Sequence, residues 1–216
     1  GARCRFSPSA EWVEVVPGME IAAPLAAGLR ASRSSGLSDA AVQALIGQVN
    51  LRAYGDRVRD LTDFEQRNSY TAGVDEARDY IVDLFESFGL TTSTPTFNIF
   101  GSLGSTTGYN VVGVLEGSLY PEEFIVVGAH YDSLPNPPAS SPGAEDNASG
   151  TAATIEVARV LSQTQPQRTI VFICFSGEEQ GLDGSAAYVA SLSAAERSNL
   201  VAAITMDMVS YTADDQ

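Results

Sequence analysis

One histidine and five acidic residues are the side chains of this sequence best placed to do chemistry together. His130-Tyr131-Asp132 puts two side chains on one side of an extended segment, because side chains alternate along a strand. Glu178-Glu179 follows Ser176-Gly177, directly after the apolar run TIVFICF. Adjacent carboxylates at the mouth of a buried strand repel, so one of them is expected to hold a proton or a cation. Asp207 stands between Met206 and Met208 in what reads as an apolar strand, and a buried ionised carboxylate needs a partner. Asp146 opens the run Asp146-Asn147-Ala148-Ser149-Gly150 ahead of a helical pattern.

Taken singly, each has an ordinary reading. A lone histidine caps a strand end, a Glu-Glu pair is a solvated turn, and Asp146 or Asn147 caps a helix at Gly150. Asn147-Ala148-Ser149 also matches the glycosylation acceptor pattern, a use that a glycan's bulk would oppose here. Taken together, one His and several carboxylates suit zinc or another borderline divalent metal. Two such metals about 3.5–4 Å apart, sharing a carboxylate and a water, form a hydrolytic arrangement in which a further carboxylate serves as general base.

The elements that must position these residues are also legible. Continuous apolar strands are expected over 109–115, 124–129, 169–175 and 201–209. Helices are expected over 42–49, over 77–88 with Gly89 as the stop, over 148–161, over 183–191 and from Ser193. This alternation predicts an α/β fold, a three-layer α/β/α sandwich with a mostly parallel central sheet. In such sheets ligands bind at the carboxyl ends of the strands, which is where the acidic residues and His130 collect. Residues 1–36, with no period and several prolines, read as an N-terminal extension or linker, and 37–216 as one catalytic domain.

Composition narrows the function. Twenty-seven acidic residues against 12 basic give a net charge of −15, which repels phosphate backbones and argues against nucleic acid as a partner. No apolar run reaches the length of a membrane span. Cys4 and Cys174 form no disulfide framework, although a bridge between them stays open. No Gly-x-Ser-x-Gly elbow is present, so a serine hydrolase is a poor reading.

VVGAHYDS, GAEDNASGTAATIEVARVL, FICFSGEEQGLDGS and ITMDMVSYT, with LTDFEQRNSYTAG ahead of them, resemble the two-zinc bacterial leucine aminopeptidases and aminopeptidase Y relatives. The order His-x-Asp, Asp-Asn-x-x-Gly, Glu-Glu, Asp is specific as a set. The resemblance implies that His130, Asp146 and Asp207 hold the first zinc, that Asp146 bridges, and that Glu179 binds the second. It implies Glu178 as the general base and Asp132 as the carboxylate that orients His130. It also implies peptides with a free N-terminus as substrates and a further downstream histidine on the second zinc. This sequence has one histidine, so the domain is expected to be incomplete at its C-terminus. A secreted or extracytoplasmic location is expected, although no signal peptide is visible. One-zinc glutaminyl cyclases, which share His-Tyr-Asp and Glu-Glu, and non-catalytic receptor-like relatives are the alternatives on the same fold.

Overall fold

The structure, a computed structural model, describes residues 2–5, 13–15, 39–64, 66–101, 103–134 and 142–209, with the first two stretches as backbone only. The strands are β1 (Ala2–Arg5), β2 (Val13–Val15), β3 (Thr91–Ser93), β4 (Thr96–Gly101), β5 (Gly104–Tyr109), β6 (Val111–Leu115), β7 (Tyr120–His130), β8 (Arg168–Phe175) and β9 (Leu200–Thr205). The helices are α1 (Asp39–Ile46), α2 (Leu51–Asp63), α3 (Ala72–Ser87), α4 (Gly150–Leu161), α5 (Asp183–Ser191) and α6 (Ala194–Asn199).

Seven strands form one sheet in the order β2-β1-β9-β7-β8-β6-β3, and β4 and β5 make a separate hairpin. The three central strands β9, β7 and β8 are mutually parallel, because helical crossovers return the chain to the same end. Both flanks are antiparallel: β6 against β8, β3 against β6, and β1 against β9. The parallel part therefore carries the candidate site. Most of the stretch 1–36 lies outside the described residues; within it, β1 and β2 extend the sheet beyond β9.

Helices cover both faces. On one side Leu61, Ala77, Ile81, Phe85, Ile155 and Ala158 pack with Val111, Val127, Phe172 and Cys174 from the sheet. On the other, Tyr188 and Leu192 lie against Val112, Val126, Val171, Ile173 and Phe175. Each large apolar side chain buried in this way contributes about 1.5–3 kcal/mol. The α3 stripe and its stop at Gly89, where φ is +80°, follow the sequence expectation. Cys174 is a buried free thiol.

Three elements differ from expectation. The Val42, Ile46 and Val49 stripe of α1 and the turn after it is exposed at 41, 56 and 46 %. Helix α2 is absent from the sequence expectation, because Arg52, Asp56, Arg57, Arg59 and Asp60 mask its apolar side; Asn50 caps it by accepting from Ala53 N at 3.1 Å. The last strand is shorter than 201–209. It stops at Thr205, so Asp207 sits past a strand end with about half its side chain exposed, not inside an apolar strand. The last sheet-like bond runs from Met206 N to Gly128 O, and Met208 then turns the chain with φ +49°.

Candidate metal centre

His130 closes β7 and is 5 % exposed. Its Nδ1 lies 3.1 Å from the Asp132 carbonyl oxygen, which can only accept, so Nδ1 carries the proton and Nε2 faces the site. The Asp132 carboxylate is slightly farther, 3.5 Å from Nδ1. It also serves the neighbouring strand end, where its two oxygens accept from Glu178 N at 3.3 Å and Glu179 N at 3.2 Å. One buried side chain thus backs the histidine and fixes the turn that follows β8.

Asp146 lies in the irregular turn Ala144–Ser149 that leads into α4. The helix cap is supplied by Asn147, whose Oδ1 accepts from Gly150 N at 2.9 Å. The same oxygen accepts from Met208 N at 3.3 Å, and Nδ2 donates to Met206 O at 3.0 Å. Asn147 is fully buried, so the glycosylation pattern is closed. These bonds tie the start of α4 to the segment after β9 and bring Asp146 and Asp207 to one place. Gly150 permits the approach, since a Cβ there would run into Met206 O and Asn147 Oδ1.

The convergence is tight. His130 Nε2 lies 3.1 Å from Asp146 Oδ1, 3.6 Å from Asp207 Oδ1 and 3.9 Å from Glu178 Oε2. One ligand atom from each of His130, Asp146 and Asp207 falls within 4.8 Å of the others. Glu179 stands in the same turn, in the field of Asp146 and His130. The structure therefore brings together all six residues singled out in the sequence at the carboxyl edge of the parallel strands.

Three buried polar atoms here, His130 Nε2, Asp207 Oδ1 and Glu179 Oε1, make no well-directed hydrogen bond among the described residues, although carboxylate oxygens crowd Nε2, the nearest at 3.1 Å. Such atoms cost about 1–3 kcal/mol each unless something else satisfies them. A divalent cation fits that set of one imidazole nitrogen and several carboxylate oxygens. Protonation reports the same field. Burial pulls the His130 pKa down, but Asp132, Asp146 and Asp207 outweigh it and push it up to about 12. Burial and then Asp146 push Glu179 up to about 7, and burial raises Glu178. The facing His130 ring lowers Asp207.

A cation must displace the His130 proton. In the metal-free fold His130 binds more tightly to its proton than in the unfolded chain. That stabilisation is whole below about pH 6.5 and is lost as pH rises through about 12. Zinc binding between pH 7 and 9 is therefore expected to release about one proton from His130. Calorimetric titration in buffers of different ionisation enthalpy measures this; binding without proton release would contradict it.

Reading by sequence misses the buried polar segment behind the site. Arg67, Asn68 and Ser69 are 0, 1 and 5 % exposed. Arg67 N donates to Ser133 Oγ at 3.2 Å, and Ser133 N to Arg67 O at 3.2 Å, locking this segment against the residues after β7. Ser69 hydroxyl donates to the Gln180 side chain, just past Glu179.

A probable zinc metalloprotease of Pyricularia oryzae is 34 % identical over 174 residues, covering 71 % of this chain and 34 % of its own length. The curated relatives it matches are longer proteins, of which this chain spans between 34 and 45 %. The zinc aminopeptidase BSAP from Bacillus subtilis shares the fold with a TM-score of 0.61, over 68 % of this chain and 66 % of its own, at 19 % identity. A glutaminyl cyclase from Bacteroides thetaiotaomicron bound to N-acetylhistamine shares it with a TM-score of 0.56, over 63 and 49 % of the two chains, at 24 % identity. Over residues 110–215, a stretch that contains all six site residues, the chain matches the model of peptidase family M28.

Proposed function

We propose that this chain is the metal-binding core of a zinc-dependent aminopeptidase of the M28 kind. The observation that carries the reading is the convergence of His130 Nε2, Asp146 Oδ1 and Asp207 Oδ1, with the first and last of those atoms buried and in no well-directed hydrogen bond among the described residues. His130, Asp146 and Asp207 would hold one zinc, while Asp146 and Glu179 would hold a second. When bound, zinc supplies Lewis-acid polarisation of the scissile carbonyl and lowers the pKa of a water toward neutrality. Glu178 would serve as general base, taking up a proton from water at the site and passing it to the leaving amine, a role suited to a carboxyl raised by burial. The substrates would be peptides with a free N-terminus.

Among the described residues the second zinc would find two carboxylates, fewer than the usual three protein ligands of a catalytic site. The 216-residue chain is therefore expected to bind one zinc firmly and a second weakly, and to hydrolyse poorly. The test is hydrolysis of a leucine anilide by this chain as zinc is added from one to several equivalents. Full activity at one equivalent would refute the two-zinc route. Cyclisation of an N-terminal glutaminyl peptide in the same assay, without anilide hydrolysis, would favour the one-zinc cyclase reading.

A further inference from the structure

Behind the metal centre sits a cation whose placement asks for a reason. Arg67 is fully buried, and among the described residues no carboxylate lies within ion-pair distance of it. A buried charge held without a close counter-ion is costly unless its hydrogen bonds do something in return. The side-chain bonds of Arg67 go to backbone carbonyls. Nε donates to Tyr131 O at 2.8 Å, Nη1 to Leu61 O at 2.8 Å and to Pro142 O, and Nη2 to Gly143 O at 2.9 Å.

The targets are specific. Tyr131 O lies between the ligand His130 and its support Asp132. Pro142 and Gly143 are the entry to the turn that presents Asp146, and Gly143 packs so closely that a Cβ would lie 3.0 Å from Arg67 Nη2. Leu61 O belongs to α2, which anchors the arrangement to the helical layer. The geometry assigns to Arg67 the role of positioning residue for the metal centre, holding the His130 strand end and the Asp146 turn in one register. The inference rests on the metal-site reading above.

Arginine suits this position. Its planar guanidinium offers five donors in a rigid fork, whereas lysine offers three on a point charge and cannot reach four carbonyls at once. The charge contributes as well. It lies in the field of Asp132 and offsets part of the repulsion within a site built from carboxylates. Arg57 provides the contrast. It too is buried, but it pairs with the Glu156 carboxylate between α2 and α4 and, among the described residues, makes no hydrogen bond to the His130 strand end or the Asp146 turn.

The test measures zinc affinity in the folded chain by competition with a chromophoric chelator, using Arg67→Lys, Arg67→Ala and, as a control, Arg57→Lys. Both Arg67 variants are expected to lose about 10–100-fold in zinc affinity, as when outer partners of metal ligands are removed. Added guanidinium should restore part of the loss in Arg67→Ala. Arg57→Lys should melt at a lower temperature with zinc affinity unchanged. Arg67 variants that are folded and bind zinc within twofold of the unaltered chain would overturn the inference and leave the metal site standing. An unaltered chain that takes up no zinc would overturn the metal-site reading and the inference with it. If neither Arg67 variant folds, Arg67→Gln, which removes the buried charge and keeps one planar amide donor in place of the fork, decides in the same assay: a several-fold loss supports the role, and no change overturns it.

Discussion

Replacing Glu178 by glutamine in the natural full-length protein is expected to lower turnover about 10²–10⁴-fold while leaving zinc content nearly unchanged. The reason lies in what each glutamate touches. Glu178 Oε2 is 3.9 Å from His130 Nε2, at the rim of the cluster, with 31 % of its side chain exposed. A group there can exchange a proton with water and substrate. Glu179 instead buries its Oε1 without a hydrogen-bond partner among the described residues, and its carboxyl lies in the field of Asp146 and His130. Glu179→Gln is therefore expected to lower zinc occupancy first and turnover as a consequence. Metal analysis of the two purified variants decides the matter. Equal zinc loss in both would reject the division of roles.

Replacing Glu156 by alanine is expected to destabilise the fold by about 3–5 kcal/mol, the cost of breaking a buried ion pair from one side. Glu156 accepts from Arg159 Nε at 2.9 Å and Nη2 at 2.6 Å, from Asn50 N at 2.7 Å, and from Arg57 Nη1. Its removal strands Arg57, whose side chain is 10 % exposed, inside the α2–α4 interface. The same group sets an acid response. Burial raises its pKa, but Arg159, the Asn50 amide and Arg57 outweigh this and lower it to about 2. A depressed carboxyl stabilises above its unfolded pKa of about 4.5 and loses that contribution as pH falls toward 2. The difference between the two proteins in urea unfolding should accordingly shrink from pH 7 to pH 3. A loss below about 1 kcal/mol at pH 7 would show that the cluster is a surface network worth little.

The candidate site is legible in the sequence because its chemistry falls at strand ends, where residue type and position combine. His130, Asp132, Glu178 and Glu179 stand out against apolar runs, and the parallel order of β7 and β8 brings their ends together. Asp207 stands out for an inexact reason: its neighbours read as a continuing strand, whereas it lies two residues beyond one. Arg67 is not legible. Nothing in a run such as Glu65-Gln66-Arg67-Asn68 separates an arginine buried on four carbonyls from a solvated one. Helix α2 is hidden by its charges, several of which serve ion pairs, not solvent alone. The β4–β5 hairpin leaves a faint signal in the alternation of Phe97 and Ile99, of which Ile99 is fully buried, before a glycine-rich turn.

Asp132 makes the two halves of the centre inseparable by experiment at that position. Its carbonyl and carboxylate stand behind His130, and its carboxylate oxygens also hold the amides of Glu178 and Glu179. Any change there shifts His130, Glu178 and Glu179 at once. Effects measured at Asp132 will not add to those at Glu178 or Glu179, because contacting residues in one network are energetically coupled. The partition between metal retention and proton transfer has to be read at the two glutamates. Asp132 reports how rigidly the ends of β7 and β8 are geared together.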